Sequence, residues 1–342
     1  MKQSFVSTLQ ESQTVTTYFL VCEKEVRATR EGKTYLRVEL GDATGRVEAR
    51  MWDGFDRAAT SFERDDFVKV QARVEMYRGK HQLILEKIRR AEENEVDPAD
   101  FFAHTKENVD ELYEKLLQIV ASVGNPWLRQ LLESVVRDPE IVPRLKRAPA
   151  AKIMHHAYAG GLLEHVVSLC NLCRAVAGHY PEANPDLLLS GAVLHDVGKL
   201  KELSYERSIG YTDEGQLLGH ILVEYELASK KMDAIAGFPP ELKILIQHML
   251  ISHHGQYEFG SPKLPMFREA LLLHYLDDLD SKMGAIRAAL ESEQGEGNWT
   301  AFNGALARRI LRADRFLAGS GAPKEKDATA QVVAEKASGK MF

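Results

Sequence analysis

An ordered series of imidazoles and carboxylates runs through the second half of this 342-residue chain: His165, His195-Asp196, His220, His253-His254 and Asp277. Neutral imidazole nitrogens and carboxylate oxygens together suit borderline divalent cations, and one aspartate can offer an oxygen to each of two ions. The adjacent pair in Leu194-His195-Asp196-Val197-Gly198-Lys199 puts both donor types in one place. Two ions about 3.5–4 Å apart can hold a bridging hydroxide and polarise a phosphodiester, so the chemistry within reach is hydrolysis of a phosphate ester.

Taken singly, each of these residues has an ordinary explanation, because a lone helical histidine is usually a hydrogen-bonded core or surface residue. Their clustering argues otherwise. Ten of the twelve histidines fall between His155 and His274, and several interrupt apolar runs such as Leu187 to Leu194 and Leu242 to Ile251. Charge placed in such runs is costly unless paired or metal-bound. A metal accounts for all of them at once. Lys199 follows the Asp196 turn closely enough to direct a cation back at the site, as a catalytic partner of Asp196 and a point-charge phosphate contact; otherwise it is a solvated surface lysine.

The elements that must position these groups divide the chain. Residues 1–90 read as β structure by alternation and β-branched content: Val15 to Val21, Lys33 to Leu40, Arg46 to Trp52, Asp66 to Val74 and Gln82 to Ile88, with a short helix from Asp56 to Phe62. Five strands with a helix after the third is the plan of an OB-fold, a small barrel that often binds single strands. Residues 91–150 read as an acidic linker followed by helical spacing over Val109 to Val136. Residues 151–318 are helical almost throughout, and residues 319–342, rich in Gly, Ala, Lys and Ser, are expected to be disordered. The fold expected is multidomain α and β, an N-terminal five-stranded OB-fold barrel followed by an all-α domain. On the barrel, Tyr35, Trp52 and Tyr77 are candidates for base stacking. Arg78 and Lys80, in the hairpin tip Tyr77-Arg78-Gly79-Lys80-His81, are candidates for phosphate contact.

A formal net charge of −6 argues against a wholesale nucleic-acid coat without excluding a local basic strip. Three cysteines, Cys22, Cys170 and Cys173, build no disulfide framework. Cys170-x-x-Cys173 lacks a second pair and reads as packed helix. Met1 to Ser4 begin no apolar signal region and no stretch is long enough to span a bilayer, so a cytoplasmic protein with no membrane contact is expected.

The series resembles the HD superfamily of metal-dependent phosphohydrolases, with pattern H…HD…H…H(H)…D, over about Ile153 to Lys282. With the barrel included it resembles more closely the YhaM-type 3′–5′ exoribonucleases. That likeness rests on Met154 to His165, Glu214 to His220, Ser252-His253-His254-Gly255 and Asp277 to Lys282. The resemblance implies that His165, His195, Asp196 and Asp277 hold one metal and that Asp196 bridges to a second. His220 and His253 or His254 would hold that second ion. It also implies manganese or a similar ion, and single-stranded RNA or DNA as partner, degraded from the 3′ end. Donor type alone leaves Fe, Co, Ni and Zn open. His156 and Lys282 are further candidates for positioning substrate. Two other functions compete: an HD-type nucleotide phosphohydrolase or cyclic-nucleotide phosphodiesterase acting on a small substrate, and a non-catalytic nucleic-acid-binding protein. Homo-oligomerisation is left open by the sequence.

Overall fold

The computed structural model describes residues 2–319 apart from 30, 78, 98–99, 103, 152–157, 206–209, 293–296 and 305. Arg78, His156 and the tail beyond 319 lie outside the described residues. Two compact units divide the chain, Met1–Asp280 and Ser281–Phe342.

The first unit begins with a closed barrel of β1 (Thr14–Ala28), β2 (Thr34–Asp42), β3 (Gly45–Met51), β4 (Phe67–Tyr77) and β5 (Lys80–Arg90). Neighbours run β1-β2-β3-β5-β4, with β4 returning to β1; β3 and β5 are parallel and every other pair antiparallel. Alternation fills the interior. Leu36, Val38 and Leu40 of β2 are fully buried and face Phe19, Val68 and Leu83 in one core. The short helix α1 (Phe55–Ala59) follows β3, and Ala58 and Phe62 close the barrel there. Tyr77 pairs with Lys80, so the β4–β5 hairpin turns over two residues, with Gly79 at φ +77°.

A short connector is pinned at both ends. The Ala43 amide donates to Asp100 O, and Phe101 packs on Tyr18 and Leu20 of the barrel. Beyond it, the Thr105 amide donates to Ala159 O, and the Thr105 and Tyr158 hydroxyls bond Glu164, next to His165.

Helical spacing over 109–136 resolves into two helices, α2 (Val109–Ala121) and α3 (Pro126–Val136). Pro126 cannot occupy a helix interior but suits a first turn, and Asn125 caps that turn by accepting from the Trp127 and Leu128 amides. Then come α4 (Val142–Leu145), α5 (Gly161–His179), α6 (Pro185–Leu194), α7 (Lys199–Glu202), α8 (Asp213–Asp233), α9 (Pro240–Ser252) and α10 (Arg268–Ser292). Between α7 and α8, strands β6 (Leu203–Ser204) and β7 (Gly210–Tyr211) form a small antiparallel pair inside a stretch expected to be helical. One core of leucines, isoleucines and valines joins α2, α3, α5, α6 and α9, and each fully buried Leu in it contributes ~2–3 kcal/mol. At Gly191 a Cβ would sit 2.3 Å from Met249 Cε and 2.9 Å from Leu273 Cδ2, so a bare glycine lets α6 press against α9 and α10.

In the second unit, α10 runs on to Ser292. Bridges then pair Trp299 with Leu311 and Asn303 with Arg308, and α11 (Ala313–Gly319) follows. The Arg312 guanidinium donates to Leu290 O at 2.6 Å.

Candidate metal centre

Five helices bring the predicted ligand series together, α6 and α9 by their C-terminal ends. His165 lies in the second turn of α5. His195 and His253 are the C-cap residues of α6 and α9, while Asp196 and His254 begin the turns that follow. His220 sits in α8 directly after Gly219, whose φ of 71° and ψ of 160° interrupt the helix. Both the His220 amide and its Nδ1 thereby reach Glu202 Oε1, at 3.1 and 3.0 Å. Asp277 and Asp280 are three residues apart on α10 and share a face.

Every ring is oriented by a bond at Nδ1. His165 Nδ1 donates to Asp280 Oδ2 (2.8 Å), His195 to Ala192 O (2.9 Å), His220 to Glu202, His253 to Leu250 O (2.7 Å) and His254 to Phe259 O (2.7 Å). Asp280 is itself steadied by Ser168 Oγ at 2.6 Å. With Nδ1 so occupied, Nε2 presents its lone pair inward, and such outer bonds fix the tautomer of ligand histidines.

The inward atoms fall into two groups around Asp196. On one side His165 Nε2 lies 3.2 Å from His195 Nε2 and 3.3 Å from Asp277 Oδ1, and Asp196 Oδ2 is 3.4 Å from His195 Nε2. On the other, Asp196 Oδ1 is 3.8 Å from His220 Nε2, which lies 3.2 Å from His254 Nε2 with His253 alongside. The two oxygens of one aspartate thus face two separate histidine groups. His165, His195, Asp196 and His253 are buried, and His253 Nε2 has no hydrogen-bond partner. Lone pairs converging at this spacing, one of them orphaned, fit a divalent cation in each group, and His165-His195-Asp277 and His220-His253-His254 each have donor atoms within 4.8 Å of one another.

The electrostatics agree. Burial opposes ionisation of Asp196, yet Lys199, His195 and His220 hold its carboxyl well below the usual range. Burial, with His254, His195 and His220 nearby, keeps His253 neutral as a ligand must be. Lys199 Nζ is 2.7 Å from Asp196 Oδ2. At His165 burial works against a charge, but bonds to Asp277 and Asp280 prevail and push it up to about 10.

A raised histidine has a definite sign: protein stripped of metal is stabilised by the His165 imidazolium fully below about pH 6.5, and this contribution is lost as pH rises through about 10. A metal must displace that proton. Mn²⁺ affinity is therefore expected to rise about tenfold per pH unit across this window, with one proton released, by calorimetric titration in buffers of different ionisation heat. Affinity flat with pH would contradict it.

The barrel presents a second cluster. Tyr35 and Trp52 stack with centroids 4.7 Å apart, and the Arg50 guanidinium lies 5.5 Å from the Tyr35 ring and 5.1 Å from Tyr77. Trp52 is half-buried, and Tyr77 and Lys80 are exposed. Tyr35 is buried, because Trp52 stacks on it, and so does not offer the free face expected of it; Arg37 is engaged by Glu48 and Glu23, and Trp52, Tyr77 and Lys80 remain accessible. Lys282 is exposed on α10 in the second unit.

Residues 21–91 match the family model described as an OB-fold nucleic acid binding domain, and residues 162–282 match that of the HD domain. The 3′–5′ exoribonuclease YhaM of Bacillus velezensis is 40% identical over 80% of this chain and 87% of its own length. That of Bacillus subtilis is 38% identical over 80% and 87%, and that of Geobacillus sp. (strain WCH70) is 38% identical over 81% and 85%. The chain belongs to the YhaM family. Its architecture, an OB-like barrel followed by a helical HD domain, is that of the two matched models.

The HD domain brings divalent-metal dependence with it, and the histidine groups described above are where this YhaM-family chain can meet it. Sequence reasoning missed the acids that orient two of the histidine rings, Glu202 and Asp280, and the buried Glu224 beside the cluster. Asp280 had a signal, its spacing of three from Asp277. Glu202 had none, because it meets His220 across 18 residues.

Proposed function

We propose that this protein is a metal-dependent 3′–5′ exoribonuclease that hydrolyses single-stranded RNA at the histidine–aspartate cluster, with the barrel holding the strand. The observation that carries the reading is Asp196, whose Oδ1 and Oδ2 face different histidine groups. When bound, two ions would supply Lewis acidity toward the phosphoryl oxygens and acidify water for in-line attack. His165, His195, Asp277 and Asp196 would hold one ion, and Asp196, His220, His253 and His254 the other. Mn²⁺ is the ion we assign first, among Mn, Fe, Co, Ni and Zn. Lys199, half-buried beside Asp196, would supply a point charge for a phosphate oxygen. Trp52, backed by the buried Tyr35, and Tyr77 would stack bases while Lys80 meets the backbone.

No described helix is long and apolar enough to cross a membrane. Cys170 and Cys173 are both free within α5, which supports a reducing compartment, the cytoplasm.

A 5′-labelled single-stranded RNA incubated with protein and Mn²⁺, beside an EDTA control, tests the reading. A ladder shortening from the 3′ end, absent with EDTA, is the expected result. An RNA left intact under Mn²⁺, Fe²⁺, Co²⁺, Ni²⁺ and Zn²⁺ would overturn it. Trp52→Ala is expected to weaken RNA binding about 5- to 100-fold, the range of one lost base stack, with hydrolysis of a dinucleotide little changed. Fluorescence anisotropy checks this, and unaltered affinity removes the barrel face from the argument.

A further inference from the structure

Glu224 is fully buried, no side chain bonds either of its oxygens, and the Gly198 amide is the donor that faces its carboxyl without balancing its charge. An unbalanced carboxylate inside a protein is costly, and native structures retain one where it binds something. Two neighbours able to neutralise it are otherwise engaged. Lys199 Nζ is on Asp196 at 2.7 Å, and His253 Nδ1, 3.6 Å from Glu224 Oε1, donates to Leu250 O. Glu224 follows His220 by four residues, so the two side chains leave α8 on one face. An oxygen of Glu224, an oxygen of Asp196 and a nitrogen of His220 lie within 4.8 Å of one another.

We propose that Glu224 is a ligand of the ion on the Asp196–His220 side, a carboxylate beyond the H…HD…H…H(H)…D pattern. The inference rests on the two-metal reading of the cluster. It raises the oxygen donors on that side to two, Asp196 and Glu224, matching the two that Asp196 and Asp277 offer the His165–His195 side, so that an ion such as Mn²⁺ suits both.

Full-length protein stripped with EDTA would be titrated with MnCl₂ alone, following free Mn²⁺ by electron paramagnetic resonance. Wild type is expected to take up two ions. Glu224→Gln should keep one at unchanged affinity and bind the second at least tenfold more weakly. Stripped Glu224→Gln should melt no lower than stripped wild type, because the amide removes a buried acid of similar shape. Two ions bound by Glu224→Gln with wild-type affinities would overturn this inference alone; wild type binding none would overturn the metal-centre reading as well. Where the variant does not fold, a crystal structure of Mn²⁺-loaded wild type decides. A Glu224 oxygen within about 2.0–2.6 Å of an ion supports the assignment, and both oxygens beyond that reach overturn it.

Discussion

Asp196→Ala is expected to lower the single-turnover rate of RNA cleavage by about 10⁴-fold at saturating Mn²⁺, on the scale of the several kcal/mol that metal ions contribute to phosphoryl-oxygen stabilisation. The size follows from position, since one side chain supplies an oxygen to each histidine group, 3.4 Å from His195 on one side and 3.8 Å from His220 on the other. Replacing it also leaves Lys199 without its carboxylate, at a cost of roughly 3–5 kcal/mol of folding stability. Thermal melts of the metal-stripped variant separate the two effects, and Asp196→Ala combined with Lys199→Met should recover stability without recovering turnover. A variant cleaving within tenfold of wild type would show that Asp196 does not join the two halves.

The second large effect is expected from a residue with no side chain. A Cβ at Gly198 would lie 2.2 Å from the His220 carbonyl oxygen, 2.8 Å from its carbon and 3.0 Å from the Glu224 amide. All three are backbone atoms and none can rotate away. Gly198→Ala must therefore push α8 off the Asp196 turn. The expected cost is about 3 kcal/mol or more, a fall of roughly 6–12 °C in melting temperature, with loss of the metal site that contains His220. Gly178→Ala in α5, where a Cβ would meet nothing within 4 Å, is the matched control and should be neutral or stabilising. Equal melting temperatures for the two variants would contradict the close-packing argument.

The histidines and aspartates that the structure brings together stood out in the sequence because they interrupt or end apolar runs, and the barrel was legible because β2 alternates from Leu36 to Leu40. The supporting acids were not. Glu202 resembles any glutamate ending a short charged helix until it meets His220, and Glu224, which ends the short run Ile221-Leu222-Val223, resembles the exposed Glu226 two residues on. The β6–β7 pair escaped notice because two-residue strands have no periodicity to detect. The break at Ser122–Asn125 had a signal in Gly124-Asn125-Pro126, a cap residue before a proline, which helical spacing read alone passes over.

The C-terminal ends of α6 and α9 have a consequence for how this centre can change. The last carbonyls of a helix lack partners within it. His195 and His253 supply them through Nδ1, to Ala192 O and Leu250 O, while Nε2 faces the cluster. One ring thus completes the helix and offers the donor. An Asp or Cys at either position would alter the donor and unfasten the last turn in the same step, so exchange of ligand type by single substitution carries a folding cost of about 1 kcal/mol beside any change in metal preference. The imidazole character of the centre is protected by the way its helices stop.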